Sequence, residues 1–270
     1  RQRRAVASRF AGPTVSLFRG RGMELEDLRA YQPGDDVRHM EWRATARSGR
    51  PITKVFREER QRLVYLVVDR GPTMAFGTRR EIKAATAARV AALLAFSAVA
   101  RQERVAGLIV NGDGEQSFPA TRTLDGALHL LRAVIAPLTT TPSPRVALPS
   151  LERLDRAVER GSSIYLISDF HHFDERRQPI LRHLAERCDL TAIHIVDPAE
   201  EHLSAVGRTR FRSPEGKLYV VDTDDPRLRE RYAAAMAERA AALRRLMHGA
   251  GVTVVRIHTY DDVLSRLDQL

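Results

Sequence analysis

Cysteine occurs once in this chain, at Cys188. A single thiol excludes internal disulfides and CxxC-type metal or redox sites, and Cys188, which opens an apolar run, reads as a core residue. Lysine is almost as scarce: Lys54, Lys83 and Lys217 are the only three among 44 basic residues. The net charge of +10 is therefore carried by arginine. Such a skew follows genome base composition as readily as phosphate recognition, so nucleic acid is not the expected partner. No apolar run approaches the roughly 18 residues of a membrane span. No segment reads as a signal peptide, and a cytoplasmic location is expected. The P-loop, G-x-S-x-G and H-E-x-x-H motifs are all missing. Gly20-Arg21-Gly22 does not follow a strand and is no nucleotide fingerprint.

What is present is a chain of 270 residues with 43% hydrophobic content, enough for one large α/β domain or a domain with an appendage. It is organised around Leu63 to Gly77, LVYLVVDRGPTMAFG. The apolar run Leu63 to Val68 reads as a strand buried on both faces, the usual state of a central parallel strand. Asp69 ends it, the tight turn Arg70-Gly71-Pro72-Thr73 follows, and then a helix. Ser163 to Ser168 and Leu190 to Val196 are further strands of this kind, ended by Asp169 and Asp197. Arg104 to Val110 is another, and the turn signal Asn111-Gly112-Asp113-Gly114 leads into a returning strand. Val252 to Ile257 is the last. Helices are predicted over Glu81 to Ala100, with Thr78 and Glu81 at capping-box spacing, and over Leu124 to Ile135 after a Thr123 cap. Others follow at Leu151 to Val158, Ile180 to Arg187, Pro226 to about Met247 behind an Asp225 cap, and Tyr260 to Leu267. Arg208 to Asp222 reads as a hairpin. Strands alternating with helices predict an α/β fold with a mostly parallel, doubly wound, Rossmann-like sheet, an N-terminal extension and β-hairpin additions.

Residues 1–21 carry arginines and no acid, and are predicted to be a mobile basic arm. Residues 22–62 are too short for a core of their own. They are expected to pack on the main domain, 63–270. Asp35, Asp36, Arg38, Glu41, Arg43 and Arg47 crowd around the only tryptophan, Trp42. Ion pairs are expected to hold this segment together, with Trp42 anchoring it on the core. Ile52 to Glu58 reads as an edge strand leading into the central one.

Ligands of open α/β sheets bind outside the carboxyl ends of the strands, where Asp69, Asp169 and Asp197 fall. Gathered carboxylates suit a hard cation such as Mg²⁺. Each also fits a plain loop cap. Asp197, before Pro198, fits that reading best, which leaves Asp69 and Asp169 as the pair. The run Ser168 to Asp174 adds His171 and His172 to two Asp, a second candidate set, for a transition metal, that also reads as a polar loop.

Asp69-Arg70-Gly71-Pro72-Thr73 resembles the D-x-S-x-S loop of von Willebrand factor type A domains. In that family the loop and a later Asp at a strand end hold a metal that a partner's carboxylate completes. On this resemblance Asp69 takes the first position, Thr73 the last hydroxyl and Asp169 the later Asp. The family's Thr from a neighbouring loop falls on Thr121 or Thr123. Gly71 stands where the first Ser belongs, which removes an oxygen ligand, so the implied cofactor is a weakly bound Mg²⁺ or none. The implied protein-binding rim comprises Asp69, Arg70, Gly71, Thr73, Thr123 and Asp169. Without an ion the two carboxylates would repel, and Arg70 is the cation expected to neutralise them. The segment LRAYQPGDDVRHMEWRATARSGRP, followed by FREER and the Asp69 strand, is similar to the bacterial domain-of-unknown-function family numbered fifty-eight. Asp35, Asp36, Arg38, Trp42 and Arg43 fall in its signature, and the match runs from roughly Gly20 to Phe170. The resemblance implies a non-enzymatic protein-interaction module that partners a MoxR-type AAA+ ATPase through the rim. The alternative is a metal-dependent hydrolase of phosphate esters using the same carboxylates. The lack of a recognisable nucleophile and base pair favours the module.

Overall fold

The computed structural model describes residues 23–58, 62–112, 114–138, 151–213 and 216–268. The basic arm expected at 1–21, and most of the connector between Pro137 and Pro149, lie outside the described residues. The chain divides into two compact units, Arg1–Gln61 and Arg62–Leu270.

In the first unit β1 (Met23–Ala30) pairs antiparallel with β2 (Ile52–Glu58). The expectation for β2, an edge strand of the central sheet, is therefore corrected: it belongs to a separate two-stranded sheet. Its partner β1 was not legible because the register shifts between Leu25 and Asp27. A bulge of this kind slips the alternation of side chains by one and hides the period of two. Between the strands lies a short helix, α1 (Trp42–Ser48), closed by Gly49 at φ +67°. The expected ion pairs are present: Arg29–Asp35, Arg38–Asp36 and Lys54–Glu41, each at 2.7 Å. Hydrogen bonds from the Arg38 side chain lower the Asp36 carboxyl to about 2. Trp42 opens a helix that buries none of its residues, and it is 66% exposed.

The second unit contains β3 (Leu63–Arg70), β4 (Arg104–Asn111), β5 (Gly114–Thr121), β6 (Ser163–Ser168) and β7 (Asp189–Val196). The hairpin strands β8 (Arg208–Arg212) and β9 (Leu218–Asp222) pair by themselves, and β10 (Thr253–His258) comes last. The main sheet has the order β10-β7-β6-β3-β4-β5. Its strands run parallel except β5, which returns antiparallel beside β4. Helices α2 (Lys83–Ala100), α3 (Leu124–Ile135), α4 (Leu151–Ala157), α5 (Gln178–Arg187), α6 (Pro226–Gly249) and α7 (Val263–Leu267) complete the unit.

Strand β3 shows why the apolar run is unbroken. Successive side chains of a strand point to opposite faces. Val64, Leu66 and Val68 enter a core built with α2, α3 and α7. Leu63, Tyr65 and Val67 enter a second core with α4, α5 and α6. Every residue from Leu63 to Val68 is at most 5% exposed. This is the doubly wound, mostly parallel sheet that the sequence predicts.

Helix α2 is long and apolar enough by length and composition to cross a membrane, the one such helix among the described residues. Thr86, Arg89 and Ser97 interrupt it, so it shows no continuous apolar run. In this fold it is the core helix, with Ala87, Val90, Ala91 and Ala95 all at 0% exposure. It begins at Lys83 rather than Glu81, and the capping box expected from Thr78 and Glu81 does not form. Thr78 instead donates its N–H at 2.8 Å, and its hydroxyl, to Asp197. Glu81 accepts from the Thr86 hydroxyl at 2.7 Å and from Arg89 at 2.6 Å. The loop before the helix is closed tightly at Gly77, where a Cβ would lie 2.3 Å from the Glu81 carbonyl oxygen and 2.5 Å from Ile82 Cα.

Both atoms belong to the backbone and cannot rotate away. Gly77→Ala is expected to destabilise the protein by about 1–3 kcal/mol, as overpacking does. Urea denaturation measures it, and an unchanged midpoint would show that the loop relaxes without cost.

Candidate functional site

Strand β3 is flanked by β4 on one side and β6 on the other. The chain leaves β3 through α2 to β4 and comes back on the opposite side at β6. The crevice at which the winding reverses therefore lies between the carboxyl ends of β3 and β6, where α/β folds bind ligands. Asp69 and Asp169 meet there. Asp69 Oδ1 accepts the Gly71 N–H at 2.8 Å, and its Oδ2 accepts the Ser168 hydroxyl. Asp169 Oδ1 accepts the His171 N–H at 2.9 Å. Its Oδ2 accepts a hydrogen bond from the Lys83 ammonium at 2.6 Å. Lys83 also donates to Glu200 Oε1. The Lys83 side chain is 0% exposed and that of Asp169 5%.

The turn after β6 aims Asp169 inward. Phe170 adopts φ +51°, a left-handed conformation uncommon for a bulky residue. Packing over-determines it: its ring is buried edge-on against Phe173 at 5.0 Å and His194 at 5.9 Å. The Ser168 hydroxyl accepts the Phe170 N–H at 2.9 Å while donating to Asp69, which locks the two strand ends together.

Burial raises the Asp69 carboxyl, and the charge of Asp169 adds to this, to about 6; Ser168, Gly71 and Lys83 act against the rise. Burial also penalises ionised Asp169. The charge and hydrogen bond of Lys83, the His171 N–H and the Thr73 side chain outweigh that and bring its carboxyl to about 2. Burial by itself would lower the Lys83 ammonium, but Asp169 and Glu200 together raise it above its ordinary value. Lys83 and Asp169 form a buried ion pair that the half-buried Glu200 completes as an ionic triad.

Of the residues singled out by sequence, Asp69, Thr73 and Asp169 come together as expected. Gly71 lies beside them, and a Cβ there would sit 3.1 Å from Asp69 Oδ1. Arg70 does not neutralise them. It is buried at 4% exposure, and its guanidinium donates to the carbonyls of Ala133 and Ala136 at the end of α3. Side chains alternate along a strand, so Arg70 faces away from its neighbour Asp69. Thr123 caps α3, accepting the Gly126 N–H at 3.1 Å, and meets Thr121 at 3.1 Å. Asp197 is the cap it was read to be, within a full capping box with Glu200. Asp174 caps the short turn at Glu175–Arg177. Among the described residues, no group of three His, Cys, Asp or Glu converges as a metal would need, His171 and His172 included.

Sequence reading missed Lys83 and Glu200. One signal was available: a lysine opening an apolar helix in a chain that otherwise uses arginine. The side chains present do not fit a hydrated Mg²⁺, which requires oxygen ligands in near-octahedral array. Asp169 gives one oxygen to an ammonium and the other to a backbone N–H, both Asp69 oxygens accept hydrogen bonds, and Gly71 has no side-chain oxygen.

A groove of about 910 Å³ opens beside this rim, lined by Pro72, Phe76, Leu203, Phe211 and Tyr219 among others. A second cavity of about 960 Å³ lies beyond Glu200, against Phe173, His194, Met236 and Arg239. Glu200 and Tyr232 line both.

Removing one member of a buried ion pair leaves an uncompensated charge. Lys83→Met should cost about 3–5 kcal/mol. Asp169→Asn added to it should return part of that loss, read in a double-mutant denaturation cycle. Strictly additive losses would show that the two side chains are not coupled.

Residues 27–242 match the family model described as Protein of unknown function DUF58. An uncharacterized protein of Mycobacterium tuberculosis is 32% identical over 259 residues, covering 94% of this chain and 80% of that one. Among solved structures, the fold is similar to that of an aerotolerance-related membrane protein from Bacteroides fragilis, at 12% identity and a TM-score of 0.51, over 77% of this chain and 95% of the other. A VWA domain, that of SpRpn10, overlaps at 10% identity and a TM-score of 0.46, over 78% of this chain and 95% of its own. By its family model and its mycobacterial relative, the chain belongs to the family described as Protein of unknown function DUF58.

Proposed function

We propose that this protein is a non-enzymatic protein-interaction module that engages a partner through the rim at the carboxyl ends of β3 and β6. The observation that carries this reading is the pairing of an internally satisfied polar centre with an open apolar groove beside it. A phosphate-ester hydrolase would need Asp69 and Asp169 free to hold a metal, and both are engaged within the chain. The groove offers aromatic and aliphatic surface, the composition that interface cores favour. At its hairpin wall Tyr219, which lines the groove with Val221, is 47% exposed. Exposed apolar surface of this kind marks interaction sites. Arg212 and Arg231 also line it, which favours an acidic and partly apolar segment. The family resemblance supplies the partner in this proposal, a MoxR-type AAA+ ATPase.

The test uses a purified MoxR-type AAA+ ATPase and calorimetric titration. Tyr219→Ala and Arg231→Glu alter the groove wall without entering the core. Each is expected to weaken binding by at least about tenfold, as truncation of an interface anchor does, with an unchanged melting temperature. Native affinity in both variants would place the partner surface elsewhere, and no binding by the unmodified protein would remove the ATPase from the proposal.

A further inference from the structure

We propose that this rim carries its own cation: the Lys83 ammonium stands where type A domains hold a divalent ion, and Glu200 supplies from within the chain the carboxylate that such an ion takes from a partner. The inference concerns the centre itself and does not depend on which partner the rim meets.

Lys83 is the first residue of α2. Helical side chains point back toward the N-terminus, and this direction carries the ammonium under the rim. The helix dipole opposes a cation at that end, so its stability there comes from the carboxylates. Nζ has three protons. Two go to Asp169 and Glu200, and the ammonium lies 5.9 Å from the centroid of the Phe76 ring. A compact point charge on a flexible stem satisfies this geometry, whereas a planar guanidinium fork does not. That accounts for a lysine here in a chain that uses arginine nearly everywhere else.

Glu200 is as firmly placed as a metal ligand would be. Its Oε1 accepts from Lys83, and its Oε2 accepts the Asp197 N–H at 3.1 Å. Asp197 is held in turn by Thr78, by Thr259 at 2.9 Å and by the Ala199 N–H at 3.0 Å. Glycine at 71 agrees with this arrangement, because a centre built on an ammonium needs no hydroxyl ligand there. A divalent ion would have to enter beside a fully buried positive charge and take oxygens already committed to donors. Recognition at this rim is therefore independent of divalent metal.

The experiment is thermal denaturation and calorimetric titration of chelator-treated protein with MgCl₂ and with MnCl₂. Three proteins are compared: the unmodified chain, Gly71→Ser and Lys83→Ser. A metal present at about 100 times its Kd would raise the melting temperature by roughly 5–10 °C in a unit of this size. The unmodified chain and Gly71→Ser are expected to show neither that rise nor binding heat. Lys83→Ser is expected to gain a Mn²⁺-dependent rise. Metal binding by the unmodified chain, or by Gly71→Ser, overturns the proposal, since Lys83 would then be no obstacle. A folded Lys83→Ser that ignores metal overturns it too. Should Lys83→Ser not fold, the Gly71→Ser titration decides, because it restores the missing ligand with the ammonium still in place.

Discussion

Burial of β3 on both faces is the constraint from which the rest of this structure follows. A strand with no wet face must be covered on both sides, and the helices that follow it supply the two layers. Covering both faces forces the winding to reverse beside β3. The reversal leaves a crevice at its carboxyl end. Asp69 stands at that crevice because it is the first polar residue after the apolar run. Asp169 stands opposite because β6 pairs in register with β3 from Val64–Ser163 to Val68–Ile167. Hydrophobic packing thus sets the distance between two carboxylates that are 100 residues apart in the chain.

Two carboxylates held together in a dry crevice require compensation. The fold provides it by a route that is costly on its own terms, since taking an ammonium and two carboxylates out of water offsets much of their mutual attraction. Such a triad is poor evidence for added stability. Its effect is on arrangement. It ties the start of α2 to the turn after β6 and the turn after β7. The groove beside the rim is walled by those two turns, by the turn after β3, by α6 and by the β8–β9 hairpin, so the polar centre lies against the apolar surface next to it.

This arrangement connects the family to the reading of its function. Asp69, Thr73 and Asp169 gather at the crevice with Gly71 beside them, and an internal salt bridge occupies the centre. A closed polar centre thus stands beside an open apolar groove.

Much of this was legible in the chain by itself. The unbroken run of β3, the runs of β6 and β7 and the helical spacings between them specify the doubly wound sheet, because burial on both faces writes itself directly as continuous hydrophobicity. Asp69 and Asp169 were legible as a pair because each ends such a run. The β1 strand was hidden by a bulge. Lys83 and Glu200 were beyond the reach of sequence for a different reason. A lone lysine opening an apolar helix and an acid in a polar turn, 117 positions apart, acquire meaning only when the sheet brings them to one point. Local pattern records which side chains must leave water, whereas the partner of a buried charge is chosen by tertiary proximity, and only the folded chain decides that.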